Sequence, residues 1–227
     1  MNTHSKRLRD FLATQKYHHT NENLRAILRG LDIKPEDYAL MVGGSGDQAF
    51  AVLEHAKKVL AVDISAYQVD YIKKQARSIE IGDYKNFWLR RQGGGGDPFN
   101  RSGGEPYLNK DRIDKIRKKL SFLEIREADI IDVCLSENGF DKVYLSNAIN
   151  HLPDVLIPKL KVISNSMPLG GLLYASNREI IADSCVPGSG FEITQQPNMI
   201  EDHSWDSIVL RKTHEPEPIT ELESALL

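Results

Sequence analysis

The sequence predicts an α/β fold: a mostly parallel sheet, closed by an antiparallel C-terminal pair and preceded by N-terminal helices. Three observations predict it. From residue 38 to 79 short apolar runs alternate with helical periodicity, and the first run enters a glycine turn, Gly43-Gly44-Ser45-Gly46. Two strand-like segments, 191–195 and 207–210, stand near the end of the chain. Strand, helix, strand, helix at such spacing is a βαβα unit, and these units build parallel sheets.

Taken in order, Leu8, Phe11 and Leu12 recur at helical spacing among basic residues, which predicts an amphipathic helix over 5–16. A second helix is expected over 22–31, with Asn21 as its cap and Gly30 near its end. The run 38–42 (YALMV) is a strand, 47–57 a helix, 59–62 (VLAV) a second strand and 66–79 a second helix of the unit. Tyr84, Phe87 and Trp88 continue at helical spacing. Residues 92–106, rich in glycine and carrying two prolines, predict a mobile insertion that would serve as a lid. A basic helix over 109–120 follows, then strands at 122–125 and 141–145, a helix at 153–165 and a strand at 172–175. The domain expectation is N-terminal helices over 1–35 packed on a ligand-binding α/β domain over 36–212, with a flexible tail over 213–227.

Composition narrows the function. At 227 residues the chain can bury a substantial core, and 41% hydrophobic with 27% charged residues is ordinary for a globular protein. A formal net charge of −3 argues against electrostatic capture of nucleic acid, so no nucleic-acid partner is expected. Cys134 and Cys185 have neither metal-ligand spacing nor the density of a disulfide framework and suit a reducing cytosol. The N-terminus shows charges with no apolar run behind them, and no stretch approaches the roughly 20 apolar residues that cross a bilayer. A cytoplasmic protein is expected. His4 and His18-His19 lack partners at ligand spacing, so no metal site is expected.

The glycine turn carries the chemistry. A strand that runs into Gly-rich backbone and then a helix lets N–H groups approach a ligand closely, because glycine adopts positive φ and has no Cβ in the way. Asp63 ends the next strand, 17 residues after Gly46, where a carboxylate can accept both hydroxyls of an adenosine ribose. Each feature alone fits a tight turn or a capping Asp; in this order and on these elements they point to a nucleoside-type ligand. Spacing does not choose the nucleotide, since Gly44-Ser45-Gly46-Asp47-Gln48-Ala49 also satisfies the dinucleotide pattern of NAD-dependent oxidoreductases. Against those enzymes, no Tyr-x-x-x-Lys pair occurs, and the antiparallel ending suits a different sheet.

The runs 40–50 (LMVGGSGDQAF) and 59–68 (VLAVDISAYQ), with 76–88 (ARSIEIGDYKNFW), resemble the S-adenosylmethionine:diacylglycerol 3-amino-3-carboxypropyltransferases of betaine-lipid synthesis and their relatives. The likeness is good over 21–90 and limited to general methyltransferase-fold features over 122–177. It implies a Rossmann-like, seven-stranded methyltransferase-type sheet and S-adenosylmethionine as cofactor. It places Gly43, Gly44, Ser45 and Gly46 against the methionine and ribose portion, Asp63 on the ribose, Ile64 on the adenine ring and Asp129 at the adenine amino group, with Asp132 a competitor. Gln48, Gln68 and Tyr84 are the family-like polar positions around the methionine chain. Two departures stand out: Leu40 replaces the acid that ordinary methyltransferases carry six residues before the last loop glycine, an absence the resembled family shares, and Gln75 stands where a lysine is common. The expected reaction is 3-amino-3-carboxypropyl transfer to a small-molecule or lipid acceptor. Methyl transfer on the same fold is the alternative, and a non-catalytic S-adenosylmethionine-binding protein a further one.

Other candidates lie at the fourth strand's end and on the helices. Asn147 forms a polar wall, and His151 is placed either as a general base or as a packed residue capping the next helix. Tyr84 with Phe87 and Trp88 faces either an acceptor or the core. The basic helix, with Lys110, Arg112, Lys115, Arg117, Lys118 and Lys119, is either a solvated face or a peripheral membrane contact.

Overall fold

The computed structural model describes residues 17–20, 22–91, 107–146, 148, 156–176, 188–195, 207–225 and 227. The expected helix over 5–16, its neighbour's cap Asn21, the insertion 92–106, Cys185 and the candidates Asn147 and His151 lie outside the described residues.

The elements run α1 (Leu24–Leu31), β1 (Tyr38–Val42), α2 (Asp47–Leu53), β2 (Lys58–Asp63), α3 (Ala66–Ile81), α4 (Tyr84–Arg91), α5 (Lys110–Arg117), a 3-10 turn (Leu120–Phe122), β3 (Leu123–Glu127), α6 (Ile130–Ser136), β4 (Lys142–Ser146), α7 (Leu156–Ser166), β5 (Leu172–Ser176), β6 (Phe191–Gln195), β7 (Ser207–Lys212) and α8 (Glu221–Ser224). One seven-stranded sheet has the order β3-β2-β1-β4-β5-β7-β6. β1 to β5 pair in parallel, while β7 is antiparallel to both β5 and β6. The order reverses between β1 and β4, and crevices at such reversals, beyond the carboxyl ends of the strands, are where open α/β sheets hold ligands.

Strand side chains alternate between two buried layers, as the two-residue period requires. Ala39 and Met41, Val59 and Ala61, Tyr144, and Leu172 and Tyr174 pack on one face with residues of α1 to α5. Leu40, Leu60 and Val62, Val143 and Leu145, and Leu173 and Ala175 pack on the other with α6 and α7. Leu40 is fully buried there, which suits an apolar side chain at that position.

Most bounds shift by a few residues, helix α2 ending at Leu53 and α5 at Arg117, short of the expected ends. Helix α1 begins at Leu24, not at 22, because Asn23 is its cap and accepts from the N–H groups of Arg25 and Ala26. That leaves Glu22 outside the helix. Helix α6 was not expected; at 7 residues it is under two turns, too short to show a period, and Asp129 caps it by accepting from the Ile131 N–H at 2.8 Å. The described part of the tail is tied to the domain at polar points. Thr220 and Glu223 form a capping box, Glu223 bonds the buried Lys161 ammonium at 2.9 and 3.2 Å, and the Glu217 N–H bonds the Gly188 carbonyl at 2.9 Å. These anchors are polar and distant in sequence, so they leave no local pattern.

Candidate functional site

The glycine loop closes β1 onto β2 and α3. The Gly43 N–H bonds the Val62 carbonyl at 2.7 Å, and the Gly46 N–H bonds the Gly43 carbonyl at 2.8 Å. The three glycines have different duties. A Cβ on Gly43 would lie 2.8 Å from Ile72 Cδ1, and one on Gly46 (φ 85°) 2.9 Å from Ile72 Cγ2, so both let α3 pack against the loop. Gly44, at φ 49°, would point a Cβ into open space, with nothing within 4 Å. Its backbone is the part of the loop that faces outward.

Asp63 sits beside it at the end of β2. One carboxylate oxygen accepts from the Gly44 N–H at 3.0 Å and the other from the Ser65 N–H at 2.9 Å. Each oxygen keeps a further lone pair. Burial raises the carboxyl's pKa, with the two backbone bonds opposing the shift. Ile64 follows, 46% exposed for an aliphatic side chain at the sheet's carboxyl end. Across the next strand, the Ala128 N–H bonds the Asp63 carbonyl at 3.1 Å, and exposed Asp129 stands one residue further on. The structure thus brings Gly43, Gly44, Ser45, Gly46, Asp63, Ile64 and Asp129 to one rim.

A segment the sequence gave no reason to place here, residues 17–20, lies over the loop. Thr20 N–H bonds Asp47 Oδ2 at 2.8 Å, and Gln48 Nε2 bonds Thr20 Oγ1 at 2.7 Å. Gln68 exchanges two bonds with the Tyr17 backbone, at 3.2 and 2.7 Å, and the Tyr71 hydroxyl bonds the His18 carbonyl at 2.6 Å. Gln68 is therefore tied to this cover and not turned to a ligand, a correction to its expected role. Tyr17 reaches toward Asp63: burial first, and the carboxylate second, raise its phenol's pKa.

Beyond the cover lies a buried polar network. Glu22, 8% exposed, accepts from Tyr144 Oη at 2.8 Å and from Ser146 Oγ. Burial, then the Glu22 charge, push the Tyr144 phenol well above its ordinary pKa, so it keeps its proton and donates it to Glu22. Ser146 holds φ 54°, the left-handed region that a non-glycine residue occupies at a cost, at the end of β4 where the pairing with β5 shifts register. Glu22, Tyr144 and Ser146 were missed because nothing local links residues more than 120 positions apart.

Tyr84 is the clearest misplacement. Its hydroxyl donates to Asp114 on α5, which raises its pKa together with burial. The 16 residues of α3, about 24 Å of helix, carry the chain from the loop's rim to the opposite end of the sheet before Tyr84 begins α4. Phe87 is fully buried, and the aromatic stripe is core. The basic helix is partly spent on packing: Arg112 bonds Glu54 at 2.8 Å, and Lys119 Nζ bonds the Ala56 carbonyl, three residues past the end of α2, at 2.5 Å. Among the described residues no cluster of three His, Cys, Asp or Glu side chains is arranged to hold a metal ion, and no helix is long and apolar enough to cross a membrane.

Sheet order, antiparallel β7 and rim together define the seven-stranded methyltransferase-type α/β fold. Solved structures of that class are similar to this chain at low identity. The N-methyltransferase NodS from Bradyrhizobium japonicum WM9, in complex with S-adenosyl-L-homocysteine, matches with a TM-score of 0.57 at 10% identity, over 93% of this chain and 99% of that one. A SAM-dependent methyltransferase from Aquifex aeolicus matches with 0.54 at 12% identity, over 84% and 90%. An rRNA methylase from Streptococcus thermophilus matches with 0.52 at 10% identity, over 86% and 100%. No family model and no curated protein matches the chain.

Proposed function

We propose that this chain is an S-adenosylmethionine-dependent transferase that moves a methyl group to an acceptor. The observation that carries the reading is the pairing of Gly44, whose backbone faces open space, with the Asp63 carboxylate bonded to it, at the reversal of strand order. The residues fit the cofactor. Gly44 backbone would lie along its ribose and methionine portion, the remaining lone pairs of Asp63 would take the ribose hydroxyls, exposed Ile64 would cover one adenine face, and Asp129 would meet the adenine amino group. When bound, the cofactor's sulfonium supplies three electrophilic carbons; the protein's part is to hold the acceptor in line with one of them and to exclude water. The neighbours named above favour the methyl carbon, as their names describe methyl transfer.

A second reading, 3-amino-3-carboxypropyl transfer, is favoured by the resemblance over 21–90 and by apolar Leu40, buried where ordinary methyltransferases place an acid. Incubation with methyl-labelled S-adenosylmethionine and a cell extract as acceptor source separates the two. Label on an acceptor, with S-adenosylhomocysteine as coproduct, is the expected result. Label retained in methylthioadenosine supports the second reading, and no cofactor turnover in any fraction contradicts both.

A further inference from the structure

Every polar group in the network above meets a bonding partner in the structure except one. Gln48, 6% exposed, uses its nitrogen twice, toward Thr20 Oγ1 at 2.7 Å and Tyr144 Oη at 3.2 Å, while its carbonyl oxygen is buried with no partner. The amide cannot be turned round to cure this. Tyr144 gives its single proton to Glu22, so the Gln48 atom facing the phenol oxygen must be a donor. An unsatisfied buried carbonyl costs on the order of a hydrogen bond, and such an atom in a folded protein calls for an explanation. It lies two residues beyond the glycine loop and shares the Tyr144 hydroxyl with a buried carboxylate.

We propose that the Glu22 carboxylate and the Gln48 carbonyl form the seat for the α-ammonium of the cofactor's methionine arm. The inference rests on the cofactor reading above. An ammonium brings three donors and a positive charge; here the Gln48 carbonyl and the Glu22 carboxylate stand as acceptors, one of them anionic and held in place by Tyr144 and Ser146. The same corner would refuse a ligand end that carries only a carboxylate, since an anion there would face Glu22. The seat makes Glu22 specific for a cofactor whose amino group is intact.

The test is calorimetric binding of S-adenosylhomocysteine and of its deaminated analogue, in which hydrogen replaces the amino group, to the whole protein and to Glu22→Gln. Glutamine keeps the shape and one of the two acceptor oxygens, its amide N–H meeting the other hydroxyl, but removes the charge. The wild type should bind S-adenosylhomocysteine about 10- to 100-fold more tightly than the analogue, the range of a charged hydrogen bond. In Glu22→Gln that ratio should fall close to one, and retained binding of the analogue reports that the variant is folded. A Glu22→Gln protein that keeps the full ratio overturns the proposal, as does one that loses both ligands alike, which would make Glu22 a structural residue. Wild-type protein that binds neither ligand instead defeats the cofactor reading itself.

Discussion

The two ends of the sheet both carry a carboxylate withdrawn from water, buried in one and half-buried in the other, and they are built to opposite effect. At the amino end Glu54, its side chain 4% exposed, gathers Arg112 at 2.8 Å, Tyr107 Oη at 3.0 Å and Lys115 at 3.5 Å. Burial alone would raise its pKa, but the bonds from Arg112 and Tyr107 outweigh that and hold it below the ordinary carboxylate range. At the carboxyl end Asp63 has only backbone N–H partners against burial, and its pKa is raised. At the same end of the sheet stand an outward-facing Gly44, a serine in the left-handed region and a carbonyl with no donor among the described residues. One end is satisfied and serves stability; the other leaves acceptors and strain in place, as ligand sites do.

Substitutions sharpen that contrast. Glu54→Ala should have the largest effect on folding, leaving a cluster of cations without its anion: a loss of about 3 kcal/mol, roughly 6–12 °C in Tm, with S-adenosylhomocysteine affinity unchanged below the transition. Unchanged melting would remove Glu54 from its structural role. Among the loop glycines the ordering should split by duty. Gly46→Ala, strained in φ and pressed on Ile72, should cost about 1–3 kcal/mol of stability. Gly44→Ala meets no atoms and should cost only about 1–2 kcal/mol for its backbone conformation, yet weaken ligand binding by a larger factor. Parallel melting and titration of the two variants would break the distinction if they behaved alike. Tyr84→Phe should be milder still, about 1 kcal/mol for the lost bond to Asp114, with no change in ligand affinity.

The smallest expected effect is on pH dependence. Glu54, with its depressed pKa, contributes stability that is present above the unfolded value and lost as pH falls through the folded one. Asp63 works the other way: its raised pKa makes ionisation cost stability as pH rises, and protonation removes the anion proposed to hold the ribose. On acidification, ligand affinity should therefore begin to fall at a higher pH than an ordinary aspartate would give, before melting responds. Titrations and melts across one buffer series would test the order.

Much of this was legible in the sequence, and the part that was not has a physical reason. Strands β1 and β6 sit at the residues their apolar runs marked, and the glycine turn and Asp63 stand at the ends of β1 and β2, because these features are local: a two-residue period, a glycine turn, an acid at a strand end. Apart from the short helix α6 and the cap of α1, the misses are long-range. Gln68 and Tyr84 matched family-like positions, but composition at a position does not say whether its amide or hydroxyl meets a ligand, the Tyr17 backbone or Asp114. Glu22 read as a helix start, since nothing in its neighbours shows that Tyr144 and Ser146 would be folded onto it.

The central claim is that the carboxyl end of the sheet is a nucleoside site organised by Asp63. Calorimetry of the wild type with S-adenosylhomocysteine and with NAD, repeated on Asp63→Ala, tests it most directly. Binding of S-adenosylhomocysteine but not NAD is expected, weakened in Asp63→Ala by about 1.5–3 kcal/mol for each charge-assisted bond lost. Binding of NAD by the wild type, or full-strength binding of S-adenosylhomocysteine by Asp63→Ala, would contradict it.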